Sequence, residues 1–173
     1  MSADDLRALI REIPDFPKPG ILFYDITTLI KDAPAFKEAI ALMVEPFRDE
    51  KVDLVVGMES RGFIFSAPMA IELGAGFVPV RKLGKLPAET LSVEYALEYG
   101  TNTLEIHKDA VKPGQRVLVV DDLLATGGTV VGTIELLTTL QAEVVGLAFL
   151  VELLFLKGRD RLDGQKIHSV IQY

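Results

Sequence analysis

The residues best equipped for chemistry stand together between Val117 and Thr129, VLVVDDLLATGGT. An apolar run leads into two adjacent carboxylates, Asp121 and Asp122, and then into a turn of small and hydroxylated residues, Ala125 to Thr129, that opens a helix. At a helix N-terminus the first backbone N–H groups have no intrahelical partner and the dipole is positive, so an anion is the natural guest. Gly127 and Gly128 let a ligand approach the backbone, while the Thr126 and Thr129 hydroxyls can donate hydrogen bonds. The turn reads as a phosphate cradle without the lysine of a P-loop. The two carboxylates are expected at the opposite edge of the same loop, where a sugar joined to that phosphate would lie. Ionised, they accept hydrogen bonds from vicinal hydroxyls and stabilise nearby positive charge, whether of a metal or of an oxocarbenium ion. An acid pair alone is ordinarily a solvated strand end, and the Thr-Gly-Gly turn beside it changes that reading.

Two further groups place charge after apolar runs. Glu59, Ser60 and Arg61 follow Leu54 to Gly57, and Arg81, Lys82 and Lys85 follow Phe77 to Val80. Taken alone, the first is a strand-to-helix turn and the second a solvated basic edge. The chain contains no Gly-x-x-x-x-Gly-Lys-[Ser/Thr], no Gly-x-Gly-x-x-Gly, no His-Glu-x-x-His and no Gly-x-Ser-x-Gly. With two histidines, His107 and His168, and no cysteine, a structural zinc site is not expected.

The elements that must position these groups follow from the apolar pattern. Short runs at Leu54 to Val56, Phe77 to Val80, Val117 to Val120 and Val144 to Leu153 alternate with helical stretches near Gly62 to Leu73 and Gly128 to Leu140. Such alternation predicts an α/β fold, an open and mostly parallel sheet with helices on both faces. Ligands of such sheets bind at the carboxyl ends of the strands, beside the three groups above. Ser2 to Arg11 reads as a helix capped by Ser2, and Asp32 and Pro34 cap a second helix whose Phe36, Ala39, Ile40, Met43 and Phe47 recur at helical spacing. Between them Pro14, Pro17, Pro19 and Gly20 restrict the chain to extended or turn conformations, with a short strand expected in Ile21 to Ile30. Residues 82–109 lack helical periodicity and read as a hairpin excursion at the ligand edge, a place where lids occur.

A chain of 173 residues without repeats or low-complexity linkers reads as a single domain, 1–173. Its 18 basic against 25 acidic residues, net −7, argue against a general nucleic-acid binder, because nonspecific affinity comes from lysine and arginine on phosphates. No signal-peptide pattern and no apolar run near the roughly 20 residues of a membrane span are read, so the expected location is cytoplasmic, without membrane contact.

VLVVDDLLATGGT resembles the phosphoribosyl-pyrophosphate (PRPP) motif of the type I phosphoribosyltransferases. The likeness extends through IPDFPKPGILFYDIT, GMESRGFIF, VRKLGKLP, LEYGTNTLEIHKDA and VELLFLKGRDRL to almost the whole chain, and it is to the adenine-using branch of that family. The resemblance implies transfer of the 5-phosphoribosyl group from PRPP to adenine, giving AMP and pyrophosphate. It implies ribose and 5-phosphate contacts from Asp121, Asp122, Ala125, Thr126, Gly127, Gly128 and Thr129, and pyrophosphate contacts from Glu59, Ser60, Arg61, Arg81, Lys82 and Lys85. It also implies a cis peptide within Glu59 to Arg61, Mg2+ carried mainly by the substrate, and a homodimer. An N-terminal helix and hood (about 1–30) would close over adenine with Leu22, Phe23 and Arg61, and Tyr24 stands where the family often has arginine. A flexible lid (about 82–109) would bring Glu98 as the catalytic proton-exchanging residue, with Tyr99 covering the site.

Two other readings stay open at this point. One is a phosphoribosyltransferase for a different purine base. The other is a non-catalytic PRPP-sensing regulator, disfavoured by the acidic charge and by the absence of an added helix-turn-helix segment. A pyrophosphokinase-like homologue lacks any supporting nucleoside-triphosphate motif.

Overall fold

The computed structural model describes residues 1–96 and 100–173. Its centre is a seven-stranded sheet made of β3 (Leu54–Met58), β4 (Gly76–Lys82), β5 (Thr90–Ala96), β6 (Thr101–His107), β7 (Arg116–Leu124), β8 (Glu143–Glu152) and β9 (Ile167–Gln172). The order across the sheet is β5-β6-β4-β3-β7-β8-β9. Across β4-β3-β7-β8-β9 every pairing is parallel, and at the other edge β6 pairs antiparallel with both β4 and β5. The helices are α1 (Ala3–Leu9), α2 (Thr27–Ile30), α3 (Ala33–Val44), α4 (Gly62–Leu73) and α5 (Gly128–Thr139). Two buried layers lie against the sheet. Helices α1 to α4 pack on one through Leu6, Leu29, Met43 and Phe65, while α5 and the hairpin pack on the other through Val130, Leu137, Leu104 and Ile106. Strand alternation divides β7 between them: Leu118 and Val120 enter the first layer, Val117 and Val119 the second.

The helix starts follow their caps. Ser2 and Asp5 form a reciprocal capping box, and Asp32 accepts a hydrogen bond from Ala35 N (3.0 Å) with a proline in the first turn. The expected strand in Ile21 to Ile30 is cut to three residues. Strand β2 (Phe23–Asp25) pairs antiparallel with β1 (Arg11–Ile13), and α2 follows at once. The physical reason is Asp25, whose carboxylate accepts from both Thr27 N (2.9 Å) and Thr27 Oγ1 (2.6 Å) and so turns the chain. Sequence periodicity also missed β1 and β9, because three residues are too few for a pattern and IHSVIQ alternates with polar side chains at the sheet edge. The 82–109 excursion is a hairpin as expected. Its described part is continuous with the sheet, and β5 lies on α5, with Val93 and Tyr95 against Gly132 and Gly128.

Candidate functional site

Strands β3, β4, β7 and β8 end on one side of the sheet, and three connected cavities open there. The smallest, about 70 Å3, is lined by Asp121 and Leu123 to Val130. Gly127 caps α5 in the left-handed conformation (φ +83°, ψ 0°) with no side-chain cap, so the first-turn N–H groups of the helix are left for a ligand. The turn is backed by a second loop: a Cβ on Gly127 would lie 2.9 Å from the Gly158 carbonyl oxygen, and Arg161 donates to the Thr126 carbonyl at 3.3 Å. The Lys-Gly-Arg-Asp-Arg segment that supplies this support packs against the Ala125 to Gly127 turn, a contact that sequence reasoning did not detect.

The second cavity, about 460 Å3, is polar. Glu59, Ser60, Arg61, Lys82, Asp121, Asp122 and Thr129 line it, joined from the hairpin by Tyr95 and Asn102. The Glu59–Ser60 peptide bond is cis. Glu59 accepts from the Lys82 backbone N–H (2.5 Å) and lies 3.5 Å from the Arg81 guanidinium, so its carboxylate orders the end of β4. Arg81 Nε is buried without a hydrogen-bond partner among the described residues. Lys85 is exposed on the turn after β4 and does not reach the three cavities, because that turn folds back on itself through Lys85 N to Lys82 O (3.3 Å). The Glu98 and Tyr99 expectations fall outside the described residues. Tyr95 and Asn102 were missed, although the alternation of Leu91, Val93 and Tyr95 marks the hairpin face that meets α5.

Asp121 and Asp122 require a correction. They do not sit on the loop but inside β7, which continues to Leu124 through its pairing with β8. Strand alternation therefore sends them in different directions. Asp121 lines the cradle and the polar cavity, whereas Asp122 lines the polar cavity and the third, apolar one. Asp122 is 7% exposed and paired with Arg61 Nε at 2.6 Å. Asp121 sits under the start of α4, where a Cβ on Gly62 would lie 2.8 Å from its Oδ1. Burial, with the like charge of Asp122 beside it, pushes the Asp121 carboxyl well above the usual carboxylate range. Among the described residues no three His, Asp or Glu side chains converge as a metal cage.

The third cavity, about 600 Å3, is apolar and lies under the β1–β2 hairpin. Ile13, Phe16, Ile21, Leu22, Phe23 and Tyr24 line it from the hairpin, with Leu123, Val151 and Leu153 from the sheet and Arg61 at its junction with the polar cavity. Phe16 and Phe23 meet edge to face at 5.1 Å. Phe16, Ile21 and Leu22 are among the large apolar side chains left exposed, as expected of a wall that faces a ligand space. Leu22, Phe23 and Arg61 are thus brought together as expected, while Val151 and Leu153 come from a strand end distant in sequence.

The phosphoribosyl transferase domain family matches residues 27–171. The adenine phosphoribosyltransferase of Chloroflexus aurantiacus is 57% identical over 173 residues, all of both chains. A crystal structure of adenine phosphoribosyltransferase from Thermoanaerobacter pseudethanolicus superposes with a TM-score of 0.96 at 56% identity, covering 99% of this chain and 100% of that one. The adenine phosphoribosyltransferase of Saccharomyces cerevisiae, crystallised with an imino-altritol bisphosphate and adenine, has a TM-score of 0.92 at 40% identity and covers 97% of each chain.

Proposed function

Because the chain belongs to the phosphoribosyltransferase family, and within it to the adenine phosphoribosyltransferases, we infer that it joins adenine to the phosphoribosyl group of PRPP, releasing AMP and pyrophosphate in purine salvage. The observation that carries the reading is the meeting of an anion cradle, a polar cavity and an apolar cavity at Arg61, Asp121 and Asp122. The 5-phosphate belongs in the cradle of Ala125, Thr126, Gly127, Gly128 and Thr129, and the ribose hydroxyls belong beside Asp121 and Asp122. Pyrophosphate belongs between the Ser60–Arg61 turn and Lys82, with Glu59 and Arg81 holding that wall in place. Adenine fits the apolar cavity against Leu22 and Phe23.

In the reaction the bond from ribose C1 to pyrophosphate breaks with its electron pair leaving on oxygen, and a bond from the purine nitrogen to C1 forms. The base gives up its N–H proton, for which Glu98 is the proposed acceptor. Developing positive charge at C1 is stabilised by Asp121 and Asp122, and the departing anion by Arg61 and Lys82. The family resemblance implies Mg2+ carried mainly by the substrate, where it would neutralise charge on the departing pyrophosphate. A homodimer is supported by exposed apolar side chains on α4 (Ile71), within β4 (Phe77) and just after it (Leu83). Cytoplasmic function is in keeping with a cysteine-free chain. The test is to supply PRPP and Mg2+ with adenine, hypoxanthine, guanine or xanthine separately and follow nucleotide formation. AMP from adenine alone is expected. Product from a 6-oxo purine would overturn the base assignment, and no product from any base would overturn the reaction in favour of a PRPP sensor.

A further inference from the structure

One residue outside the three cavities stacks on the hood wall of the apolar one and is hydrogen-bonded to the residues on either side of Leu153 in the sheet wall. The ring of Tyr173, which follows β9, stacks on Tyr24 with centroids 3.8 Å apart and planes inclined by 26°. The Arg7 guanidinium from α1 lies 4.3 Å from the Tyr173 ring centroid. Two groups this close cannot share one face of a ring, so Tyr173 is sandwiched between helix and hood. Burial pushes the phenols of both Tyr24 and Tyr173 above their ordinary value, in keeping with a contact withdrawn from water. The backbone of Tyr173 is tied just as closely to the sheet. Its N–H donates to the Glu152 carbonyl at 3.0 Å, and its own carbonyl accepts from Leu154 N at 2.9 Å. These two bonds bracket Leu153, whose side chain lines the cavity from the sheet side, whereas Tyr24 lines it from the hood.

We propose that Tyr173 is a positioning residue for the purine base, setting the gap between Tyr24 in the hood and Leu153 in the sheet wall. The proposal rests on the reading that adenine occupies the apolar cavity. Strand β2 is only three residues long and pairs only with the equally short β1, so the two-stranded hood cannot fix its own height over the sheet. Tyr173 supplies that constraint from outside the cavity, behind Tyr24. Its loss acts on the base and leaves the cradle, which α5 and the Gly158 loop hold separately, unchanged.

The experiment is steady-state kinetics of the full chain, varying adenine at saturating PRPP and then PRPP at saturating adenine. Tyr173→Ala is expected to raise the KM for adenine by about threefold to tenfold, the worth of one aromatic pair, with the KM for PRPP and kcat held within about twofold. Tyr173→Phe, which keeps the stack, is expected to behave as the parent protein. Tyr24→Leu breaks the stack from the other side and keeps the test open if Tyr173→Ala does not fold; the double variant is expected to add little to either single one. Equal rises in both KM values, an unchanged KM for adenine, or additive effects in the double variant would overturn the proposal. AMP formation by the parent protein tests the underlying assignment separately.

Discussion

The phosphate cradle and the base hood both adjoin the polar cavity and share Leu123 in their linings, yet they are built in opposite ways. The cradle is a recess of about 70 Å3 made almost entirely from consecutive residues, Leu123 to Val130, whose backbone conformation is the site. The hood encloses about 600 Å3 with side chains from the β1–β2 hairpin, β7 and β8, and its shape depends on packing between distant segments. A backbone site tolerates almost no change of conformation, because each N–H has one useful direction. A packed apolar wall yields by small amounts at many contacts. The two regions should therefore fail differently, the first abruptly and toward PRPP, the second gradually and toward the base.

Gly127→Ala is the sharpest way to break the cradle alone. Its φ of +83° disfavours any side chain, and the new Cβ would lie 2.9 Å from the backbone oxygen of Gly158, which has no flexible end to move aside. The turn must shift by a sizeable fraction of an ångström. We expect kcat/KM for PRPP to fall on the order of 100-fold, since misplacements of this size carry such costs. Adenine affinity, read by isothermal titration, is expected to stay within about twofold. A parallel loss of adenine binding would show that cradle and hood are one mechanical unit.

Asp121→Asn probes the strand end on which the cradle is mounted. Burial and the adjacent Asp122 hold the Asp121 carboxyl above its ordinary value, so the folded protein binds that proton more tightly than the unfolded chain does. Stability therefore declines as pH rises from the unfolded value toward the folded one, and the full penalty remains above it. The uncharged variant should be more stable than the parent at pH 7 to 8 by about 1 kcal/mol, with the difference vanishing in acid, as thermal denaturation across pH would record. Turnover should fall by about tenfold, because the carboxylate proposed to stand beside the ribose is lost. Higher stability with lower activity is the signature of a charge kept for function, and lower stability at neutral pH would refute it.

The same division explains what the sequence reveals. The α/β alternation, both helix caps, α4 starting at Gly62, and the cradle from Ala125 to Thr129 are local patterns written in consecutive residues, and the structure forms them. Asp121 and Asp122 were legible as a pair but misplaced, because an acidic pair ordinarily ends a strand, whereas pairing with β8 carries β7 through it. Leu22 and Phe23 were reached through resemblance to a family, since nothing in ILFYDIT by itself announces a cavity. Val151, Leu153 and Asn102 were not legible, and the alternation of Leu91, Val93 and Tyr95 marks a face for Tyr95 without its role. They acquire a role only when β8 and the hairpin are laid beside β7 and α5, and no spacing within their own segments encodes that.

The smallest expected effect is at the base of the hood. Asp25 accepts hydrogen bonds from Thr27 Oγ1 and Thr27 N and an ion pair from Arg11 (2.6 Å), which together hold its carboxyl down to about 2. A depressed carboxyl contributes stability that is present above the ordinary value near 4 and is lost as pH falls toward 2. Arg11 is largely solvent-exposed, so water screens the ion pair and leaves the two Thr27 bonds as the main restraint. Asp25→Asn keeps one acceptor for Thr27 and loses the charge. It should raise the KM for adenine by about threefold at neutral pH, leave PRPP kinetics unchanged, and flatten the acid limb of thermal stability between pH 4 and 2. An equal change in the KM for PRPP would mean that the turn after β2 is felt in the cradle, and the gradual, base-directed failure assigned to the hood would then be wrong.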